Sequence, residues 1–332
     1  MRRREFITLL GGAAASTAHP SYIRAQQPEQ VRRIGLLMGW AESDPAVKSY
    51  VAAFRGALAK LGWTDDTKLR IELRWSAGDP ERINTFAKEL VDLRPDAILG
   101  STTPVITALA RETRTIPIVF AAVADPIGGG FAASFAHPGG NITGFTGNDP
   151  AIGGKWMELL KEIAPQTARA AILFNPATAS PLQIYMPSIQ TAATSFAIEV
   201  SAAPVHAKEE IEGVIATQAR DPGGSLVVIP DPFNRGNRDL IIALAARYRV
   251  PTIYYTRALA EAGGLIAYSD DFNEEFRRAA GYIDRILKGS KVGELPIQQP
   301  TKFELVINMK TAKALGLTVS SGLLSIADEV IE

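Results

Sequence analysis

Short apolar runs alternate along the chain with longer segments whose apolar residues recur at helical spacing. The run RRIGLLMGW precedes DPAVKSYVAAFRGALAKLGW, LRIELRW precedes DPERINTFAKELVDL, and DAILGS precedes TPVITALARET. The alternation continues through IPIVFAAVA and DPIGGGFAASF, RAAILFN and SPLQIYMPSIQTAATSF, SLVVIP and RGNRDLIIALAARY, and PTIYYT and RALAEAGG. Strands that alternate with helices of about 10 to 15 residues predict βαβ units built on parallel sheets.

This pattern breaks at HPGGNITGFTGNDPAIGG, which is rich in Gly, Asn and Thr and has little apolar periodicity. A second βα series runs to Gly264, and a strong helical pattern over 272–287 and a strand over 303–308 come after it. A chain of 332 residues exceeds what one core usually holds. We therefore predict two α/β lobes, each a doubly wound parallel sheet, with late elements that return to the first lobe. The expected division is 31–145 plus about 269–298 for the N-terminal lobe and 146–268 plus about 299–332 for the C-terminal lobe.

Several dipeptides place a capping residue before a proline where a helix is predicted to begin. Asp, Ser and Thr side chains accept hydrogen bonds from a first helical turn, and proline fits its first position because it lacks an N–H. Together these dipeptides predict helix N-termini at the carboxyl ends of parallel strands, which is where open α/β sheets bind ligands. The N–H groups and the dipole of a helix N-terminus favour anions. The dipeptides of this kind are Asp44-Pro45, Asp79-Pro80, Thr103-Pro104, Asp125-Pro126 and Ser180-Pro181. Asp271 is likewise expected to cap the helix that begins near Phe272.

The first 25 residues have the order of a cleavable export signal. Arg2, Arg3 and Arg4 form a basic region, a short apolar run follows, and Ile23-Arg24-Ala25 is a loose small-x-small cleavage pattern. The run is shorter than the roughly 20 apolar residues that span a bilayer. The consecutive arginines also match the twin-arginine type, so the general secretory and twin-arginine routes both stay open. We expect residues 1–25 to be removed and the protein to be periplasmic.

Charge and composition narrow the classes of function. Removal of residues 1–25 takes away four arginines and one glutamate, so the formal net charge changes from 0 to −3. The remaining chain has no basic cluster for nucleic acid. Cysteine is absent, which excludes disulfides and thiol chemistry. The sequence also has no dinucleotide fingerprint, P-loop, G-x-S-x-G elbow or His pair at metal spacing, so we expect no catalytic residue, cofactor or metal.

Five segments resemble one family: the opening MRRREFITLLGGAAA, VFAAVADPIGGGF, HPGGNITGFT, GGLIAYS and the closing QPTKFELVINMKTAKALGL. Together they are similar to the ABC transporter substrate-binding proteins of the tryptophan/tyrosine type. The resemblance covers essentially the whole chain. It implies a type I periplasmic-binding-protein clamshell with a multi-crossover hinge, a monomer that holds a small solute in its cleft and delivers it to a membrane permease and its ATPase.

The resemblance also implies a cleft built from the loops that follow the strands. Thr102 and Thr103, with the N–H groups of the helix that they open, would take a carboxylate. Trp40 and one of Tyr254 and Tyr255 would offer flat walls. Asp125 and Asp231 are the candidates to pair with an amine or hydroxyl of the ligand. The remaining expected ligand-binding residues are Thr146, Asn175 and Tyr268.

Two departures from the amino-acid-binding members leave the ligand open. The chain has Asp231-Pro232-Phe233-Asn234 after the second-lobe strand, and Tyr268-Ser269 after GGLI. A changed ammonium clamp makes an aromatic or other small organic acid as plausible as an amino acid. The alternative to transport is a ligand-binding partner of a membrane signalling receptor, which the sequence does not separate from it.

Overall fold

The computed structural model describes residues 31–64, 68–147, 149–178 and 182–332. The predicted signal over 1–25 and the predicted cap Ser180-Pro181 lie outside these residues. The strands of the described part are β1 Arg32–Met38, β2 Leu69–Trp75, β3 Ala97–Ser101, β4 Ile118–Val123, β5 Ile142–Thr146, β6 Arg169–Phe174, β7 Glu199–Pro204, β8 Gly224–Val228, β9 Thr252–Tyr254, β10 Ile266–Asp270, β11 Phe303–Asn308 and β12 Glu329–Ile331.

The helices are α1 Pro45–Lys60, α2 Pro80–Asp92, α3 Thr103–Glu112, α4 Ile152–Ile163, α5 Leu182–Ser195, α6 Ile211–Ala219, α7 Pro232–Gly236, α8 Arg238–Arg247, α9 Arg257–Glu261, α10 Phe272–Leu287, α11 Met309–Ala314 and α12 Ser321–Ile326. Among these described helices, none combines the length and the apolar character that crossing a membrane requires.

The strands form two sheets, which confirms the predicted α/β class with two parallel-sheet lobes. The first sheet has the order β2-β1-β3-β4-β5 and is parallel throughout. The second has the order β12-β11-β10-β9-β8-β6-β7, and its pairs are parallel except for antiparallel β10 and β11. We call the part around the first sheet the first lobe and the part around the second sheet the second lobe.

The chain passes between the lobes more than once. It leaves the first sheet after β5 and enters the second at β6. Helix α10 follows β10 of the second sheet but buries Phe276 and Ile283 in the same apolar cluster as Phe54 of α1, so it belongs to the first lobe. The chain then pairs Gln298 with Phe145 of β5 before it returns to the second sheet at β11. Helix α10 and the segment around Gln298 thus lie with the first lobe, although they follow β10 of the second sheet.

Three of the predicted helix caps are present. The Asp44, Asp79 and Asp271 side chains accept hydrogen bonds from the first-turn N–H groups of α1, α2 and α10. The predicted cap at Thr103 was wrong, because α3 begins at Thr103 and its N-cap position is Thr102, which makes no side-chain capping bond.

The prediction at Asp125-Pro126 was wrong, because no α-helix follows β4 directly. Asp125 Oδ1 accepts from Gly128 N at 2.7 Å and closes a turn instead. Three successive glycines favour this turn over a helix, in which each would cost about 1 kcal/mol relative to Ala.

The segment HPGGNITGFTGNDPAIGG was expected to be irregular, yet it contains β5. Gly144 lies in this strand with φ +156°, and a Cβ there would lie 2.2 Å from the carbonyl oxygen of Phe120 in β4. The glycine therefore allows a close approach of β5 to its neighbour, although it weakens the strand signal in the sequence.

Candidate ligand-binding cleft

A small cavity of about 80 Å³ lies where strand ends of the two lobes meet. We call it the inner cavity. Its first-lobe wall comes from the segments that follow β1, β3 and β4, and its second-lobe wall from the segments after β6, β8 and β9. It is lined by Trp40, Thr102, Thr103, Pro104, Ala122, Ala124, Thr178, Pro230, Asp231, Pro232, Arg235, Tyr255 and Phe272.

The N-terminus of α3 opens into the inner cavity. The N–H groups of a first helical turn have no carbonyl partner within the helix and carry a partial positive charge. Thr102 occupies the N-cap position but makes no side-chain capping bond to this turn. The inner cavity therefore has a polarised helix end in its wall, a feature that suits a carboxylate.

The backbone at Thr102 is strained. Its φ of 76° and ψ of 149° lie close to a region that glycine almost alone adopts. Gly39 makes room for the threonine, since a Cβ on Gly39 would lie 2.3 Å from Thr102 Oγ1. Gly39 N also donates to Ser101 Oγ at 3.1 Å. The ends of β1 and β3 thus hold Thr102 in place together.

A second strained residue, Ala122, lies at the end of β4 with φ 57° and a register shift between its neighbours. Its N–H donates to Glu275 Oε2 of α10 at 3.2 Å. Burial raises the pKa of Glu275 well above its usual range, and the charge of Asp270 raises it further. Helix α10 therefore supports the cleft wall with a carboxyl group whose neutral form is favoured.

On the second-lobe side, Asp231 is held by three donors of its own lobe. Its Oδ1 accepts from Phe233 N at 2.9 Å and from Thr178 Oγ1 at 2.5 Å, and its Oδ2 accepts from Asn175 N at 2.8 Å. Burial raises the pKa of Asp231, although these hydrogen bonds oppose the shift. Asp231 thus lies in the cavity wall and at the same time caps α7.

An ion pair joins the two lobes beside this cavity. Arg235 Nε of α7 donates to Asp44 Oδ2, the cap of α1, at 2.8 Å, and Arg238 Nη1 donates to the same oxygen at 3.1 Å. The side chains of Asp44 and Arg235 are only 9% and 11% exposed. Burial would raise the pKa of Asp44, but the positive charges of Arg235 and Arg238 outweigh it and lower the pKa below its ordinary value.

Aromatic rings surround the guanidinium of Arg235. Its central carbon lies 5.3 Å from the centroid of the Trp40 ring, within cation–π range. Burial raises the pKa of the Tyr50 and Tyr255 hydroxyls, and the nearby positive charge of Arg235 opposes this shift. The Trp40 ring packs edge-on against Tyr50 and Phe272, with centroids 6.0 Å and 6.5 Å apart. Arg235 is therefore held from several directions.

A larger cavity of about 450 Å³, the outer cavity, lies on the other side of Arg235. Arg235, Tyr255 and Phe272 line both cavities and form the wall between them. The outer cavity is further bordered by α1 of the first lobe and by α9 and Glu304 of the second. Acidic and basic side chains both line it, among them Arg257 and Asp271.

Five of the sequence-predicted site residues line the inner cavity together: Trp40, Thr102, Thr103, Asp231 and Tyr255. The other five lie elsewhere. Tyr254 is buried in the second-lobe core, and Tyr268 stacks on Phe303 with centroids 5.7 Å apart. Asp125 closes its turn, Asn175 accepts from Ala177 N at 2.8 Å in the loop after β6, and Thr146 N donates to Gln298 O at 2.9 Å beside a crossover.

The sequence interpretation missed Arg235, Tyr50 and Phe272, and it assigned Asp44 only a capping role. The one available signal was an arginine four residues after Asp231 on a short helix that follows a strand end. Within the described residues, no group of three or more His, Asp or Glu side chains could hold a metal ion.

Residues 41–331 match the model of the ABC transporter substrate-binding protein family. The chain belongs to this family. It is 24% identical over 276 residues to a tyrosine-binding protein of Clostridioides difficile, a match that covers 82% of this chain and 78% of that protein.

Among solved structures, the chain is similar to an ABC domain from Streptococcus pneumonia in complex with L-Trp, with TM-score 0.83 and 26% identity over 91% of this chain and 100% of that one. A ligand-free, open substrate-binding protein with adhesive properties from Clostridium difficile shares the fold, with TM-score 0.71 and 22% identity over 91% of this chain and 99% of that one. As a member of this family, the protein is a solute-binding protein and not an enzyme.

Proposed function

We propose that this protein is the exported solute-binding component of an ABC importer and that it captures a small carboxylate ligand, an amino acid or an organic acid, between its lobes. The observation that carries the proposal is the polarised N-terminus of α3, which faces Asp231 and Arg235 of the other lobe across one cavity. A ligand that contacts both walls stabilises the closed arrangement, which is the form that a permease would recognise.

The two ends of such a ligand would meet different chemistry. Its carboxylate would accept hydrogen bonds from Thr103 and from the first-turn N–H groups of α3. An amine, where the ligand has one, would face Asp231. The tyrosine-binding and L-Trp-bound relatives support an amino acid, whereas the three local hydrogen bonds of Asp231 weaken its role as an ammonium partner.

The predicted export signal over 1–25 and the family support a periplasmic location and delivery to a membrane permease and its ATPase. We propose that the protein works there as a monomer, since the cleft takes both of its walls from one chain.

Ligand-dependent thermal unfolding tests the proposal. The purified protein is heated with L-alanine, L-tryptophan, L-tyrosine, the matching deaminated acids, tryptamine, which lacks a carboxylate, and sugars. A ligand that binds only the native state stabilises it by RT ln(1 + [L]/Kd), about 2.7 kcal/mol at a hundredfold excess over Kd. We expect carboxylates to raise the Tm, and tryptamine and sugars to leave it unchanged.

A pair of isosteric variants checks the site. Thr103→Val removes the hydroxyl in the cavity wall and should weaken carboxylate binding about five- to tenfold, the value of one lost hydrogen bond. Thr107→Val is the control, because the Thr107 hydroxyl donates to Thr103 O within α3 and does not line the cavity. A panel in which sugars raise the Tm and carboxylates do not would overturn the proposal.

A further inference from the structure

The wall between the two cavities bears on the size of the ligand. An apolar cavity of about 150 Å³ can hold one benzene ring. The inner cavity, at about 80 Å³, is smaller than that. The inner cavity by itself therefore has no room for an aromatic ring beside a carboxylate at the N-terminus of α3, and Arg235 separates it from the larger spaces around it.

Space for a larger body exists only a short distance away. The outer cavity has about 450 Å³, and the two cavities share Arg235, Tyr255 and Phe272. Phe272 and Tyr255 are buried in the cores of the first and second lobes, respectively. Arg235 is a long side chain on the five-residue helix α7, and of the three residues it reaches farthest from its own backbone.

Arg235 is anchored from both lobes. Asp44 of the first lobe accepts from its Nε, Trp40 packs against its guanidinium, and Tyr255 of the second lobe lines both cavities beside it. Moving Arg235 aside would leave Asp44 without its closer arginine, and a partly buried ion pair is costly to break when one partner stays behind. A bulky ligand must therefore either break the ion pair of Arg235 with Asp44 or hold the lobes apart.

We propose that Arg235 is the specificity-determining residue of the cleft: held by Asp44, it closes the inner cavity against the outer one, so that the protein prefers ligands with a small body to ligands that carry an aromatic ring. This inference rests on the proposed function, because it takes the inner cavity as the place where the carboxylate binds. It differs from what the names of the two relatives describe, since both of those proteins bind aromatic amino acids.

Calorimetric Kd values for two ligand pairs test the inference: L-alanine with L-tryptophan, and propionate with 3-(indol-3-yl)propionate. The readout is the ratio of Kd values within a pair, and Arg235→Met, which also breaks the ion pair with Asp44 but keeps most of the side chain, measures how far a change in lobe closure alone moves this ratio. We expect the wild-type protein to bind the smaller member more tightly. Arg235→Ala joins the cavities and should shift the ratio toward the larger member by about tenfold or more, as removal of a steric block does.

Two further variants separate volume from charge. Arg238→Ala removes the other arginine that pairs with Asp44, but Arg238 does not line the inner cavity, so the ratio should stay at the wild-type value. Arg235→Met keeps most of the length of the side chain without its charge and should also stay close to wild type. A shift in Arg238→Ala or Arg235→Met as large as that in Arg235→Ala contradicts a steric wall.

The wild-type protein alone can overturn the inference, even if Arg235→Ala fails to fold. Tryptophan that binds wild type more tightly than alanine shows that the ring has room with Arg235 present, and then only the size inference fails. If no member of either pair binds wild type, the proposed function fails and the inference fails with it.

Discussion

Asp44 and Asp231 both precede a proline at the start of a helix, and both lie at the cleft, but their surroundings are opposite. Asp44 Oδ1 caps its own helix, and its Oδ2 accepts from two arginines of the other lobe. Asp231 uses both oxygens for donors of its own lobe. The pKa of Asp44 is lowered and that of Asp231 is raised. The Asp-Pro dipeptide at Asp44 therefore stabilises contact between the lobes, whereas the one at Asp231 stabilises the fold of its own lobe.

Loss of the charge at Asp44 should have the largest effect. Asn caps helices as well as Asp does, so Asp44→Asn leaves α1 capped but leaves Arg235 without its anion. We expect the free energy of unfolding to fall by about 3 kcal/mol, at the low end for a broken buried pair because an open cleft rehydrates the arginine. Urea unfolding measures this loss, and the radius of gyration from X-ray scattering should increase as the lobes separate.

Asp79→Asn is the matched control for this variant. Asp79 also precedes a proline and caps α2, but it is exposed and accepts from Glu81 N and Arg82 N only within its own turn. We expect Asp79→Asn to change the free energy of unfolding by no more than a few tenths of a kcal/mol and to leave the radius of gyration unchanged. Equal effects in the two variants would assign the loss at Asp44 to its cap.

Asp231→Asn should have a smaller and purely local effect. The amide oxygen can keep the bonds from Phe233 N and Thr178 Oγ1, but Asn175 N loses its acceptor, because an NH2 group replaces Oδ2. We expect a loss of about 1 to 2 kcal/mol in the free energy of unfolding and an unchanged radius of gyration. An opening as large as that of Asp44→Asn would remove the contrast between the two carboxylates.

Glu275 extends the comparison to a third buried carboxyl group. Burial and Asp270 raise its pKa well above the usual value, so its stabilising contribution is complete below about pH 4.5 and is lost as the pH rises through the raised pKa. Glu275→Gln keeps an oxygen for the Ala122 N–H and stays neutral. We expect the free energy of unfolding of Glu275→Gln to equal that of wild type at about pH 4.5 and to be higher by about 1 kcal/mol at about pH 8. Thermal unfolding at the two pH values decides, and a lower Tm than wild type at the higher pH contradicts the assignment.

The smallest expected effect is a difference in pH dependence between the two cleft aspartates. The lowered pKa of Asp44 gives stability that is present above about pH 3.8 and is lost as the pH falls through the folded-state pKa. The raised pKa of Asp231 gives stability that is complete below about pH 3.8 and is lost as the pH rises through the folded-state pKa of Asp231. The gap in the free energy of unfolding between wild type and Asp44→Asn should therefore shrink on acidification. The corresponding gap between wild type and Asp231→Asn should grow. Parallel pH profiles of the two gaps would contradict the opposite shifts.

The fold was predictable from the sequence because its signals are local. Alternating strand and helix patterns and the caps at Asp44, Asp79 and Asp271 depend on residues within a few positions of one another. The predictions that missed depended on contacts across the sheet or on glycine. Strand β5 was missed because Gly144 fits against Phe120, and a helix was expected at Asp125 where three glycines form a turn.

The cleft was predictable only in part for the same reason. The family resemblance, which implies a cleft built from the loops after the strands, selected Thr102, Thr103 and Trp40, and all three line one cavity. Arg235 was missed because its partner Asp44 lies 191 residues away in the chain and in the other lobe. Of Tyr254 and Tyr255, one of which was expected to form a wall of the cleft, Tyr255 lines the inner cavity and Tyr254 does not.

Helix α10 affects the order in which the protein can complete its fold during synthesis. The apolar cluster around Phe54 of α1 is covered by Phe276 and Ile283, so the first lobe lacks part of its core until the ribosome has added a helix that follows most of the second lobe. Domains usually fold in the order in which they are made. In this protein the N-terminal lobe must wait, and the two lobes complete their cores almost together near the end of translation.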